Sequence, residues 1–174
     1  VVVFDRPFQP ATLPGPSVDP ELPKNYAPFN IQNIQGDLYG SFAKRVPGED
    51  EEEKGPGLGF VSVFDANGQF LRRVASRGKL NAPWGIALAP ANFGRFGNTV
   101  LIGNFGDGEI NAFDLKSGNF RGQLRGTDHH PLKIEGLWGI AFGNGINAQP
   151  TNTLFFAGGP TDETHGVYGR IDVR

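Results

Sequence analysis

Apolar residues in this chain fall into short alternating runs, and the runs recur. One complete set reads Trp84-Gly85-Ile86-Ala87, Thr99-Val100-Leu101-Ile102-Gly103-Asn104-Phe105, Glu109-Ile110-Asn111-Ala112-Phe113-Asp114 and Asn119-Phe120-Arg121-Gly122-Gln123-Leu124. Runs of this length with apolar positions two apart predict β-strands and are too short for helices. Turn formers separate them, and Asn67-Gly68 between two such runs is a strong hairpin signal. The pattern predicts four short antiparallel strands per unit.

The unit repeats. Ala82-Pro83-Trp84-Gly85-Ile86-Ala87 returns as Leu137-Trp138-Gly139-Ile140-Ala141-Phe142 and more loosely as Ala27-Pro28-Phe29-Asn30-Ile31-Gln32. Second strands are expected at Leu38-Tyr39-Gly40-Ser41-Phe42 and at Thr153-Leu154-Phe155-Phe156-Ala157. Third strands are expected at Val2-Val3-Phe4-Asp5, Val61-Ser62-Val63-Phe64-Asp65 and Val167-Tyr168-Gly169-Arg170-Ile171-Asp172. A further fourth strand is expected at Gln69-Phe70-Leu71-Arg72-Arg73-Val74. Four-stranded units at this spacing are the signature of a β-propeller blade. The expected fold is an all-β propeller segment with four-stranded antiparallel blades, about three blade-equivalents of a six-bladed ring. Its divisions are a partial blade at 1–25, blades at 26–78 and 79–126, and a partial blade at 127–174.

Composition agrees with many turns: Gly is 26 and Pro 14 of 174 residues, while 15 Phe supply core material. Net charge is -2, without the concentrated basic patch that nucleic acid binding requires. No apolar run is long enough for a membrane-spanning helix. Cys is absent, which excludes disulfides and thiolate metal sites. Met is absent too, and the chain opens in mid-unit, so a fragment or a processed chain is expected. Completion would come from an amino-terminal propeller half or from self-association. Two insertions stand apart. The acidic run Glu49-Asp50-Glu51-Glu52-Glu53 predicts a solvated mobile loop, and the proline-rich stretch from Arg6 to Pro23 predicts an extended surface segment tacked down by apolar residues.

Alternating strand direction gathers second-to-third and fourth-to-first loops on one face. That face is expected to carry Asn104, Asp107, Asp128, His129, Asp162, Glu163 and His165, with Trp84 and Trp138 opening first strands beside it. The two Trp are either packing between blades or a stacking platform for a sugar or other planar ligand. Loop His with nearby acids could hold a metal, though the spacing matches no metal motif. Asp65, Asp114 and Asp172 close third strands, where side-chain caps on the following turn are expected. No Gly-x-Ser-x-Gly elbow or phosphate-binding loop is present.

Trp-Gly-Ile-Ala, a short apolar strand, then aromatic-Asp with a Gly turn resembles the NHL-type propeller repeat. More narrowly, Tyr26 to Ile34, Gly57-Leu58-Gly59-Phe60-Val61-Ser62-Val63-Phe64-Asp65, Leu101 to Gly108, Leu137 to Gly145 and His165-Gly166 are similar to blocks of an uncharacterised, mainly bacterial NHL-like propeller family. The chain resembles the carboxyl-terminal half of its members, some of which are exported with a Pro-Glu-Pro-type carboxyl-terminal sorting tail. The resemblance implies an extracellular or periplasmic protein and supplies no catalytic residue. Wider relatives among gluconolactonase-type lactonases place acidic and Asn calcium ligands at the channel, where Asn104 and Asp107 are the nearest counterparts. The expected function is an exported binding or interaction module of unknown ligand. A calcium-assisted hydrolase or lactonase is the alternative.

Overall fold

The computed structural model describes residues 3–49 and 51–173. Thirteen strands and one turn of 3-10 helix (Gly94–Phe96) account for the regular structure of these residues. The strands form antiparallel sheets of two, four, four and three members. The first sheet pairs β1 (Val3–Phe4) with β2 (Pro10–Ala11). The second runs in chain order through β3 (Tyr26–Ile34), β4 (Asp37–Lys44), β5 (Gly59–Phe64) and β6 (Phe70–Ser76). The third does the same with β7 (Pro83–Leu88), β8 (Thr99–Asn104), β9 (Ile110–Asp114) and β10 (Phe120–Gln123). The last has β11 (Leu137–Phe142), β12 (Thr153–Gly158) and β13 (Val167–Asp172). The expected strands are therefore present, in meander order; Val2, placed in the first of them, lies outside the described residues.

The turns follow from the sequence. Gly68 and Gly118 sit at φ +80 and +71, a region that favours Gly, in the two third-to-fourth turns. Asp65 Oδ1 accepts the Asn67 and Gln69 N–H groups at 2.9 and 2.8 Å. Asp114 accepts from the Ser117 N–H, the Arg121 guanidinium, the Ser117 hydroxyl and the Lys116 N–H. These bonds, that of the Ser117 N–H foremost, hold its carboxyl well below the usual range. Asp172 accepts the Thr153 hydroxyl across the sheet at 2.6 Å, and the turn it was expected to cap runs into Arg174, outside the described residues.

Two layers of core join the sheets. Tyr39, Val61 and Val63 of the β3–β6 sheet pack on Ile86, Val100 and Ile102 of the β7–β10 sheet. Ala87, Leu101 and Ala112 on the far face of that sheet pack on Leu137, Ile140 and Leu154. Each fully buried Ile or Leu contributes about 1.5–3 kcal/mol by leaving water. First strands lie side by side across these layers. Asn30 Nδ2 donates to Trp84 O at 2.9 Å, and a Cβ at Gly85 would come within 2.8 Å of Trp138 O. Each first strand breaks register at this point, between Pro28 and Asn30, Pro83 and Ile86, and Leu137 and Ile140.

The acidic insertion differs from expectation. The acidic run prolongs the β4 edge as a ladder: Arg45 bridges Glu52, Glu53 N–H donates to Lys44 O, and Lys44 Nζ lies 2.6 Å from Glu53 Oε2. Asp50 of that run lies outside the described residues. The proline-rich stretch is tacked down by an apolar residue as expected, Leu22 packing on Phe42, Phe60 and Phe64, and polar contacts add to it. Gly15 and Ser17 N–H groups donate to Asn67 and Gly68 carbonyls, and the buried Asp19 carboxylate bonds Ser62 and Arg73.

Candidate functional site

The loops after the second and fourth strands meet around an aromatic cluster at the mouth of the first strands. Phe29 and Trp84 are 4.7 Å apart between ring centroids, and Trp84 and Phe105 are 6.0 Å apart. Trp138 packs on the same group. Phe29, Trp84 and Trp138 occupy one position of the repeat, so three first strands each contribute one ring. Gly159 keeps the wall open for Trp138, because a Cβ there would press within 2.3 Å of the indole.

Polar groups edge this floor. The Lys54 ammonium stands 4.4 Å over the Phe105 ring, a cation–π contact. Lys54 Nζ is 3.9 Å from Glu52 Oε1, a buried atom with no hydrogen-bond partner. Burial raises the Glu52 carboxyl above the usual range, and the charges of Glu51 and Glu163 push the same way against Lys54. Glu52 comes from the β4–β5 loop and Glu163 from the β12–β13 loop, so loops of two different sheets are within electrostatic reach. Glu163 accepts the Trp138 indole N–H. Its loop is bent to do this: Thr161, Asp162 and Glu163 all have positive φ, at 58, 47 and 60. A run of left-handed non-Gly residues is costly, and such strain gathers at functional sites. The Thr161 N–H bonded to Glu135 Oε1 at 2.9 Å helps to hold the bend.

Asn104 and Asp107 sit just below the floor and are engaged structurally. The wholly buried Asn104 donates to Lys79 O at 2.8 Å and to Asp107 Oδ1 at 3.1 Å. Asp107 also accepts from Glu109 N–H and from Asn81 Nδ2, while Asn81 Oδ1 accepts Gly55 N–H at 2.7 Å. This chain of bonds fastens the acidic insertion over the β8–β9 turn. Both Asp107 oxygens are therefore occupied. No group of three or more His and acidic side chains that could hold a metal occurs among the described residues.

The other expected residues are scattered. Asp128 caps its own turn by accepting the His130 N–H at 3.1 Å. His129, with φ 64, lines a separate depression of about 330 Å³ with Arg95, Arg125 and Ile171. His165 is exposed beside the Thr164 hydroxyl at 3.0 Å, and Asp162 is exposed at the crest of its loop. The site brings together Trp84, Trp138 and Glu163 of the expected set. Phe29, Glu52, Lys54 and Phe105 were missed. Phe29 was legible, because it replaces Trp in the first copy of the motif. Glu52 and Lys54 were not, because nothing in an acidic run marks which member folds back.

No family model matches the chain. It is similar to three uncharacterized proteins of Acanthamoeba polyphaga mimivirus. One is 37% identical over 178 residues, covering 97% of this chain and 45% of the relative. A second is 35% identical over 176 residues, covering 98% and 42%. A third is 40% identical over 123 residues, covering 68% and 22%. The chain thus spans less than half the length of the curated relatives it matches. These viral relatives correct the expected membership of a bacterial NHL-like family, and the expectation of export, which rested on that membership, loses its support.

Proposed function

We propose that the chain is a β-propeller segment that acts as a binding module, taking a planar-faced ligand such as a pyranose sugar on the Phe29, Trp84 and Trp138 rings, which the buried Phe105 underpins. Support for the propeller comes from successive meander sheets that pack face to face with their first strands adjacent. The observation that carries the binding reading is the convergence of three repeat-equivalent aromatic rings with Lys54, Glu52 and Glu163. Rings offer stacking area at low entropic cost, while the charged rim offers donors and acceptors to hydroxyls.

Trp84 and Trp138 are the two Trp of the chain, so intrinsic fluorescence reports the site directly. Titration with a panel of mono- and oligosaccharides is expected to change that fluorescence saturably. Trp138→Phe removes the indole N–H that Glu163 fixes and is expected to weaken binding about tenfold, roughly 1.4 kcal/mol. Trp84→Ala is expected to weaken it further. A panel without any saturable response, or a response untouched by both variants, would sink the reading. Calcium with a chelator control is the arm for the hydrolase alternative, which gains if calcium raises the melting temperature and lactones are turned over.

A further inference from the structure

The rim of the aromatic floor already holds a cation. Lys54 Nζ stands 4.4 Å over the Phe105 ring and 3.9 Å from Glu52 Oε1. The second distance is too long for a hydrogen bond. The Glu52 side chain is 11% exposed, and its Oε1 is buried with no donor among the described residues. A buried carboxylate oxygen without a donor is costly, and it marks a place where a donor belongs. Lys54 is held loosely by comparison, its side chain being 49% exposed.

Charge and shape both favour a cation here. Glu52 feels the charges of Glu51 and of Glu163, which arrives from another sheet, and Lys54 opposes them. Arg45, the other cation beside this carboxylate, donates to Glu49 O at 3.2 Å. A depression of about 280 Å³ is lined by Phe29, Arg45, Glu51 and Glu52. One floor ring and the donorless carboxylate thus share a cavity. Phe105 lies 6.3 Å from Phe29 and 6.0 Å from Trp84 between ring centroids. A pyranose stacked on either neighbour carries its substituents one bond outside its own ring, within reach of the place that the Lys54 ammonium now holds.

We propose that the site selects an amino sugar, whose protonated ammonium displaces the Lys54 ammonium from between Glu52 Oε1 and the Phe105 ring. The inference rests on the sugar-binding reading and adds the charge of the ligand to it. The ammonium donates to Glu52 Oε1, which gains its missing partner in a charge-assisted bond. It also takes over the ring face that Lys54 uses. The displaced Lys54 turns to solvent, where its charge is hydrated, so one cation replaces another and the Glu52 carboxylate is not left unpaired. A hydroxyl or an acetamide N–H would offer the same oxygen a neutral donor and bring no charge to the ring.

The test compares oligomers of glucosamine, N-acetylglucosamine and glucose with the same linkage, which differ only in the substituent at one carbon. At pH 6 the glucosamine oligomer, read by Trp fluorescence, is expected to bind about tenfold tighter than the other two. Glu52→Gln keeps the shape and removes the charge, and is expected to erase that preference while circular dichroism stays that of the parent. Lys54→Met keeps a stem over Phe105 and removes the resident cation. It is expected to tighten the glucosamine oligomer several-fold, a gain that a misfolded variant would not show. Glu21→Gln makes the same change of charge at an exposed acid beside Arg73 and is expected to alter nothing. Equal binding of the three oligomers by the wild type overturns the amino-sugar assignment and leaves the sugar reading standing. So does a preference that survives Glu52→Gln, or one that falls equally with Glu21→Gln, the mark of diffuse attraction by net charge. Weaker binding of the glucosamine oligomer by Lys54→Met overturns the displacement. No saturable response to any oligomer, or displacement of the glucosamine oligomer by methylammonium at equal concentration, overturns the sugar reading together with the inference.

Discussion

Asp19→Ala is expected to lower the unfolding free energy by about 3–5 kcal/mol, the cost of breaking a buried ion pair by removing one partner. The Asp19 carboxylate is fully buried and satisfied on both oxygens. Oδ2 accepts from Ser62 Oγ at 2.6 Å and Arg73 Nε at 2.8 Å; Oδ1 accepts from Arg73 Nη2 at 2.7 Å and Glu21 N–H at 2.9 Å. Its loss strands the mostly buried guanidinium of Arg73 over the Phe60 ring and leaves the buried Ser62 hydroxyl without that partner. It also frees the proline-rich strap from the β5–β6 hairpin. The pH dependence carries a sign. Burial alone would raise this carboxyl, but the bonds from Ser62, Arg73 and Glu21 and the Arg73 charge outweigh it and hold it below its ordinary 3.8. A depressed folded-state value means stability present above the unfolded value and lost as pH falls below it. Urea melts at pH 7 and pH 3 should show a larger drop for wild type than for Asp19→Ala. A loss under about 1 kcal/mol at pH 7 would mean that this network does not hold the strap.

Much of the fold was legible because each strand announces itself twice, by period-two alternation and by its place in the repeat. Thr99–Asn104 and Ile110–Asp114 were within a residue or two of the expected runs. The Asn-Gly and Ser-Gly turns demand a conformation that only a few residues adopt, so their sites were legible too. What failed was long-range and polar. Asp19 lies among prolines, and its partners are 43 and 54 positions away, a pairing no local pattern encodes. Glu52 looks like its acidic neighbours, yet the ladder from Arg45 turns it inward toward Lys54 and Glu163. Strand direction did place the β8–β9 and β12–β13 loops on one face. It could not say that Asp107 spends its oxygens on Asn81, Asn104 and Glu109, or that Asp128 and His129 serve their own turn. Direction sets which end of a sheet a loop leaves, whereas side-chain contacts depend on loop path.

Gly85→Val is expected to cost about 2–3 kcal/mol, the upper part of the range for inserting methyl groups into a packed site. Intrinsic preference points the other way, since Val favours strands and Gly weakens them. The neighbouring sheet decides the sign. A Cβ on Gly85 would stand 2.8 Å from Trp138 O and 3.0 Å from Ile140 N, both backbone atoms that cannot rotate aside. To admit it, β11 must retreat from β7, which draws Trp138 away from Trp84 and opens the Leu137–Ile140 layer. Gly139 holds the same repeat position in β11 and has nothing within 4 Å of its would-be Cβ. Gly139→Val is therefore expected to stay within about 0.5 kcal/mol of its parent, as an ordinary surface change. Thermal melts followed by circular dichroism give the stability difference, and Trp fluorescence gives the displacement of the floor. Equal effects at the two positions would mean that β7 and β11 are not packed edge to edge, and the side-by-side arrangement of first strands, on which the aromatic floor depends, would fall with them.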